Sequence, residues 1–263
     1  MIPLYDDVPC GTKPYINFVL ISLSSLMFAL QLWANSGNEH VVERLGMVPA
    51  RFATEEGEQI LIPAKVLVQT PFGIRQLETV RALEPAIVPE WATLLTCVFL
   101  HGGWLHFLGN MWFLWIFGDN VEDRIGHVAY LVLYLGTGVV ASMSHLIVNF
   151  DSVMPTIGAS GAIAGVMGAY FWLYPRAKVL TMIPLVIFWP VVVLPAQLFL
   201  AIWFLMQFWS GTFAVTQGDV SGVAWWAHIG GFMAGLSCGA ALGHTNSVPE
   251  STDDSPSHFN ESI

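Results

Sequence analysis

The chain has 263 residues, 55% hydrophobic and only 11% charged, with a formal net charge of −10. Soluble domains carry about 25% charged residues, so a shortage of this size, spread over several long apolar runs, excludes an ordinary soluble globule and points to an integral membrane protein. The acidic balance argues against nucleic-acid binding, and the three scattered cysteines Cys10, Cys97 and Cys238 form neither a disulfide framework nor a metal knuckle.

Residues 1–14 carry Asp6, Asp7 and a single basic residue, Lys13. They read as a cytoplasmic segment and not a signal peptide, because the apolar run that follows is long and has no evident small-residue cleavage site. That run, Tyr15 to Trp33, is the first of six expected spans, judged against ~20 apolar residues per crossing. A long first loop, about residues 34–90, mixes charges, Gly, Pro and amphipathic pieces such as Ile74 to Leu83, which suit an interface. It contains no internal repeat and no soluble second domain. An apolar approach, Trp91 to Leu100, leads into the second span at about Leu105 to Phe117. The third is about His127 to Phe150 and the fourth about Ile157 to Tyr174. Val179 to Met206 is too long for one simple span and is broken by Pro184, Pro190 and Pro195, each of which removes a backbone donor. The fifth span is therefore placed at about Val193 to Trp209, with Val179 to Pro190 as a connecting or partly embedded segment. The sixth is about Val223 to Leu242. The polar tail, 243–263, holds Asp253, Asp254 and Glu261 and reads as disordered. The expected fold is an all-α integral membrane protein whose membrane domain covers 15–242.

Basic residues set the expected orientation. Lys13, Arg124, Arg176 and Lys178 fall on one side of a six-span chain, which the positive-inside rule makes cytoplasmic, with both termini inside. The loops Asp151–Thr156 and Ser210–Gly222 hold no Lys or Arg, as suits the outer side. The first loop carries Arg44, Arg51, Lys65, Arg75 and Arg81 yet falls outside; its length approaches the range where the rule weakens. In this arrangement the second, fourth and sixth spans all enter from the outer side. His106 and Asn110, Ser160, and His228 then share one shallow depth.

Those four residues suit acyl transfer. Ser160 opens a small-residue helix and supplies a hydroxyl nucleophile. His228 is a base, since an unperturbed imidazole titrates near pH ~6.5. His106 and Asn110 are four apart, so both lie on one helix face and can point N–H donors at a developing oxyanion. The backbone N–H of Ser160, at a helix N-terminus, is a further donor. No triad acid is evident: from residue 152 to 218 there is no Asp or Glu. The expectation is a Ser–His dyad, with Gly161, Gly165 and Gly168 on one helix and Gly231 and Gly235 on the other allowing close approach. Bland readings stand beside it. A serine in a membrane helix commonly bonds its own backbone. His145 is read as structural and His101 as solvated near the interface. Gly158-Ala159-Ser160-Gly161-Ala162 departs from the G-x-S-x-G elbow.

At this point the sequence resembles the rhomboid intramembrane serine proteases. Gly158-Ala159-Ser160-Gly161 is similar to the family's GxSG, Ala227-His228 with Gly231 and Gly235 to its AHxxGxxxG, His106 and Asn110 to its HxxxN, and Glu122 with Arg124 to its ExR. The resemblance covers roughly Trp91 to Leu242; the first loop lacks the family's Trp-Arg pair. It implies a six-transmembrane-helix rhomboid bundle, a Ser–His dyad, an outward-opening aqueous cavity, and no cofactor or metal. The partners it implies are transmembrane protein substrates and membrane lipid, with no nucleic acid. The expected activity is cleavage of transmembrane segments near the outer face, with the loop Ser210–Gly222 and the fifth span as candidate gates. Two rivals are a catalytically silent rhomboid-like protein that binds membrane clients, and a His-based transporter or metal protein using His101, His106, His145 and His228.

Overall fold

The computed structural model describes residues 1–34, 38–55, 58–70, 73–185, 187–217 and 224–245. The chain opens with strand β1 (Ile2–Asp6) and helix α1 (Tyr15–Trp33). Within the first loop come a short helix α2 (Asn38–Leu45), a 3-10 turn (Pro49–Phe52) and a hairpin of β2 (Leu61–Thr70) and β3 (Gly73–Ala82). Helix α3 (Glu90–Thr96) and a second 3-10 turn (Cys97–Phe99) precede helix α4 (Trp104–Ile125). Then follow α5 (His127–Val148), α6 (Ser160–Leu173), strands β4 (Lys178–Met182) and β5 (Val191–Pro195), and helices α7 (Ala196–Gln217) and α8 (Trp225–Thr245).

Most of the described chain is helical, but the all-α expectation is corrected by five strands among the described residues. β4 and β5 pair antiparallel from Lys178↔Pro195 to Met182↔Val191, and β4 also pairs with β1, giving sheet order β1-β4-β5. The physical reason lies in the residues. Val179, Thr181, Val191 and Val193 are β-branched and favour extended backbone, while Pro184 and Pro190 forbid a continuous helix between them. The expected fifth span accordingly starts three residues later than anticipated, at Ala196. In the first loop, the piece 74–83 belongs to the hairpin, which pairs from Leu61↔Ala82 to Thr70↔Gly73. A salt bridge ties the hairpin back to α2: Arg81 Nη1 donates to Glu43 Oε2 at 3.0 Å.

Helices α1 and α5 and residues Ala196–Phe213 of α7 are long and apolar enough to cross a membrane. The pair formed by Glu90–Phe99 and α4, bent by 82°, makes a fourth candidate. Helix α6 is shorter, at 14 residues, and forms the centre of the fold: every residue from Gly161 to Tyr170 is buried. An all-apolar, small-residue sequence suits a helix covered on all sides. Its main neighbours are α4, α5 and α8, with α7 touching it more lightly. The α6–α8 seam is set by glycine. A Cβ placed on Gly231 or Gly235 would collide with the carbonyl oxygens of Gly161 and Gly165. Without an apolar driving force between helices in lipid, such close approach supplies the dispersion contact that holds two helices together.

At the opposite end from Ser160, polar groups of α4 fasten the start of the chain. Glu122, fully buried, accepts from the Ile16 and Asn17 amides at 2.9 and 2.7 Å and so caps α1, whose own N-cap is Pro14. First-turn amides have no intrahelical acceptor, so a buried helix start needs such a partner. Asn17 continues the network, donating to the Leu114 carbonyl and accepting from the Tyr130 hydroxyl. Asp6 of β1, also buried, accepts from Asn120 Nδ2 at 2.7 Å and from the Tyr170 hydroxyl at 2.6 Å, joining β1, α4 and α6. The expected polar tail from 246 on, and residues 218–222 of the expected cap loop, lie outside the described residues.

Candidate active site

The segment before α6 is pinned on both sides. Thr156 exchanges two backbone hydrogen bonds with Met47, and the Gly158 amide donates to the Cys97 carbonyl at 2.9 Å. Gly158 then turns with φ +126°, a conformation that side-chain-bearing residues rarely adopt. Its missing side chain matters as well, because a Cβ there would lie 2.7 Å from Cε1 and Nε2 of His106. The turn delivers Ser160 to the first position of α6, where the early amides have no intrahelical acceptor and the helix dipole favours negative charge.

Ser160 Oγ lies 2.7 Å from Nε2 of His228. The two side chains stand at the N-terminal ends of α6 and α8, the pair of helices joined by the glycine seam. On its other side, the His228 ring places Nδ1 2.8 Å from Oε1 of Gln207, on α7. Trp203 and Trp225 flank the ring, with centroids at 5.8 and 6.2 Å. A cavity of about 380 Å³ opens beside the pair and is lined by His106, Asn110, Ser160, Trp203, Gln207 and His228, among others. All four residues singled out in the sequence therefore border one cavity.

His106 accepts the Gly102 amide at Nδ1, at 3.3 Å, which leaves Nε2 as the protonated nitrogen of a neutral ring, directed toward Gly158. Asn110 is 8% exposed and its Nδ2 has no hydrogen-bond partner. A buried amide donor left unpaired at a cavity wall is a group awaiting an acceptor. Together Ser160 and His228 can generate an alkoxide-like nucleophile, and Asn110, His106 and the Ser160 amide offer N–H groups to a nearby oxyanion.

His101 departs from its expected solvated setting. It is fully buried against Phe28, Phe107 and His106, both its ring nitrogens lack partners, and its backbone is held by the amide of Gln31. His145 stands apart, beside Asn149 on α5. Among the described residues no three His, Cys, Asp or Glu side chains converge on a metal-holding position. Gln207 was not singled out in the sequence. The available signal was an amide interrupting the otherwise apolar stretch Leu198–Trp209, and polar groups in membrane segments are functional candidates by default.

Comparison with known proteins gives a consistent family. The Rhomboid domain matches residues 88–245. Rhomboid protease GluP of Bacillus subtilis is 35% identical over 156 residues, 59% of this chain and 26% of the relative. Rhomboid protein 1, mitochondrial, of Saccharomyces cerevisiae is 30% identical over 118 residues, 43% of this chain and 34% of the relative. RHOMBOID-like protein 4 of Arabidopsis thaliana is 26% identical over 252 residues, 90% of this chain and 56% of the relative. The matched region thus spans between about a quarter and just over half of these relatives' length.

Proposed function

Because the chain belongs to the rhomboid family, we propose that it is an intramembrane serine endopeptidase that cleaves transmembrane segments of other membrane proteins near the outer membrane face. The observation that carries this reading is the 2.7 Å contact between Ser160 Oγ and His228 Nε2 beside a cavity bordered by an unpaired Asn110 donor. In the proposed arrangement α1, α4, α5, α6, α7 and α8 cross the membrane as one domain over 15–242. Both termini are cytoplasmic, and the dyad opens outward.

The chemistry follows from the geometry. His228 Nε2 accepts the hydroxyl proton as Ser160 Oγ attacks the scissile carbonyl carbon. The carbonyl oxygen becomes an oxyanion that accepts from Asn110 Nδ2, His106 Nε2–H and the Ser160 amide. The imidazolium then returns its proton to the leaving amine, and the C–N bond breaks to give an acyl-enzyme. A water, deprotonated by the same nitrogen, releases the acid and restores the serine. A substrate helix shields its own peptide bonds, so segments with helix-breaking residues near the cut are the better substrates.

The test is incubation of purified protein in liposomes with a panel of transmembrane substrates, wild type beside Ser160→Ala. Cleavage and fluorophosphonate labelling of wild type, both lost in a folded Ser160→Ala, support the proposal. Wild-type protein that neither cleaves nor labels would favour the client-binding reading instead.

A further inference from the structure

We infer that Gln207 is the positioning residue of the dyad, fixing the imidazole of His228 in the one tautomer that can act as base. The inference rests on the protease reading above and adds to it the group that stands where a triad acid would.

His228 makes two polar contacts through its ring, one at each nitrogen: Nε2 to Ser160 and Nδ1 to Gln207 Oε1. A neutral imidazole carries one proton. If that proton sits on Nε2, the ring donates to Ser160 and cannot accept its hydroxyl proton. An amide oxygen has no proton to give, so it holds the ring proton on Nδ1 and leaves the Nε2 lone pair facing Ser160. Gln207 is itself buried, at 8% exposure, so solvent competes little for this acceptor. Helices α6, α7 and α8 contain no Asp, Glu, Lys or Arg. The titratable groups whose charge bears on His228 are His106 from α4 and His145 from α5, neither of which can replace an acceptor at Nδ1.

The placement also divides the labour between helices. Ser160 and His228 come from α6 and α8. Gln207 comes from α7, as does Trp203, four residues earlier on the same helix face and seated against the imidazole. The dyad distance is set by the α6–α8 seam, whereas the tautomer is set by α7. A displacement of α7 therefore disarms the base without parting it from the serine.

The experiment compares Gln207→Leu and Gln207→Glu with wild type in liposomes, reading kcat, KM and the pH profile, with thermal unfolding measured in parallel. Histidine-labelled ¹⁵N spectra, with His228 assigned by His228→Ala, report the tautomer independently of turnover. Gln207→Leu should lower kcat roughly 10- to 100-fold with little change in KM, and its ¹⁵N signals should show loss of the pure Nδ1–H form. Gln207→Glu keeps an acceptor and adds a negative charge that favours imidazolium, so it should recover turnover at high pH. Its acid limb should move up by about one pH unit or more. A folded Gln207→Leu with wild-type kcat, pH profile and Nδ1–H spectrum overturns the inference. So does a loss matched by lower thermal stability and not recovered in Gln207→Glu. If wild type neither cleaves nor labels, the protease reading falls, while the ¹⁵N comparison still decides whether Gln207 sets the tautomer.

Discussion

Alanine substituted along the glycine seam of α8 should damage activity in an order set by distances alone. Gly231, Gly235, Gly239 and Gly243 recur every four residues and face α6. A Cβ would lie 2.0 Å from the Gly161 oxygen at Gly231, 1.8 Å from the Gly165 oxygen at Gly235, 2.9 Å from the Ala169 oxygen at Gly239, and 3.3 Å from the Trp172 side chain at Gly243. Carbon and oxygen atoms in contact rarely come closer than about 3 Å. Gly231→Ala therefore forces the helices apart by about 1 Å, one turn below His228. The Ser160–His228 separation of 2.7 Å then grows to roughly 3.7 Å, beyond hydrogen-bond reach. A misplacement of ~1 Å can cost about 10²-fold in rate, and overpacking adds about 1–3 kcal/mol of destabilisation. Gly235→Ala should behave alike. Gly239→Ala needs only a few tenths of an ångström, and Gly243→Ala meets a side chain that can yield, so both should retain most activity. Gly136→Ala on α5, with nothing within 4 Å of the new Cβ, is the control and should gain about 0.5–1 kcal/mol. Initial rates on a transmembrane substrate in liposomes, with thermal unfolding of each variant, provide the readout. Wild-type turnover in Gly235→Ala, or equal damage at all four positions, would refute the reasoning.

The proposed oxyanion donors should separate from the proposed dyad: Asn110→Ala should lower kcat by about 10²–10³ with substrate affinity little changed. His106→Ala should lower it at least as much, and full activity in a stably folded double variant would remove both from the mechanism. Glu122→Ala leaves the part-buried Ile16 amide and the buried Asn17 amide of α1 without their acceptor and should cost about 2–3 kcal/mol of stability, measured by denaturation in detergent; an unchanged midpoint would contradict the capping role. Burial, aided by the charges of Asp119 and Asp7, pushes the Asp6 carboxyl up to about 7. Between about pH 4 and 7 the folded form keeps a proton that the unfolded chain has lost, so stability should fall as pH rises across that window, and Asp6→Asn should flatten the slope. Accessibility tags near Thr252 and Ser221 should report opposite sides of the membrane, and a shared side would overturn the proposed orientation.

How far the sequence reaches depends on the range of the interaction. Tyr15 to Trp33 and His127 to Val148 are legible because each apolar run is bounded by polar or glycine residues in the chain itself. Apolarity alone places the start of α6 three residues early, since Ile157 is as apolar as the helix while Gly158, at positive φ, belongs to the turn. The sheet β1-β4-β5 was not legible. Its central strand is five residues long, and its pairing with β1 joins segments from opposite halves of the chain. At the site, Ser160, His228, His106 and Asn110 share sequence contexts that single them out. Gln207 sits in an apolar run with no neighbour to mark it, and only the placement of α7 against α8 reveals its contact. A triad partner is usually a carboxylate, and position 207 carries an amide.

The pairing of Ile2 with Met182 also sets a timetable for assembly. β1 leaves the ribosome roughly 175 residues before β4, and at about 5–20 residues per second that interval is on the order of 10–35 s. For that time β1 is a strand without a ladder, with its backbone groups open to any competing edge. Helices α1 to α6 must all be made before its partner exists, and α7 follows directly from β5. The sheet is therefore a closing stitch: the chain's earliest strand is fastened only once α6 is in place. A translational pause shortly after Pro195 would let it close before α7 enters, whereas truncation before Lys178 would leave it permanently unpaired.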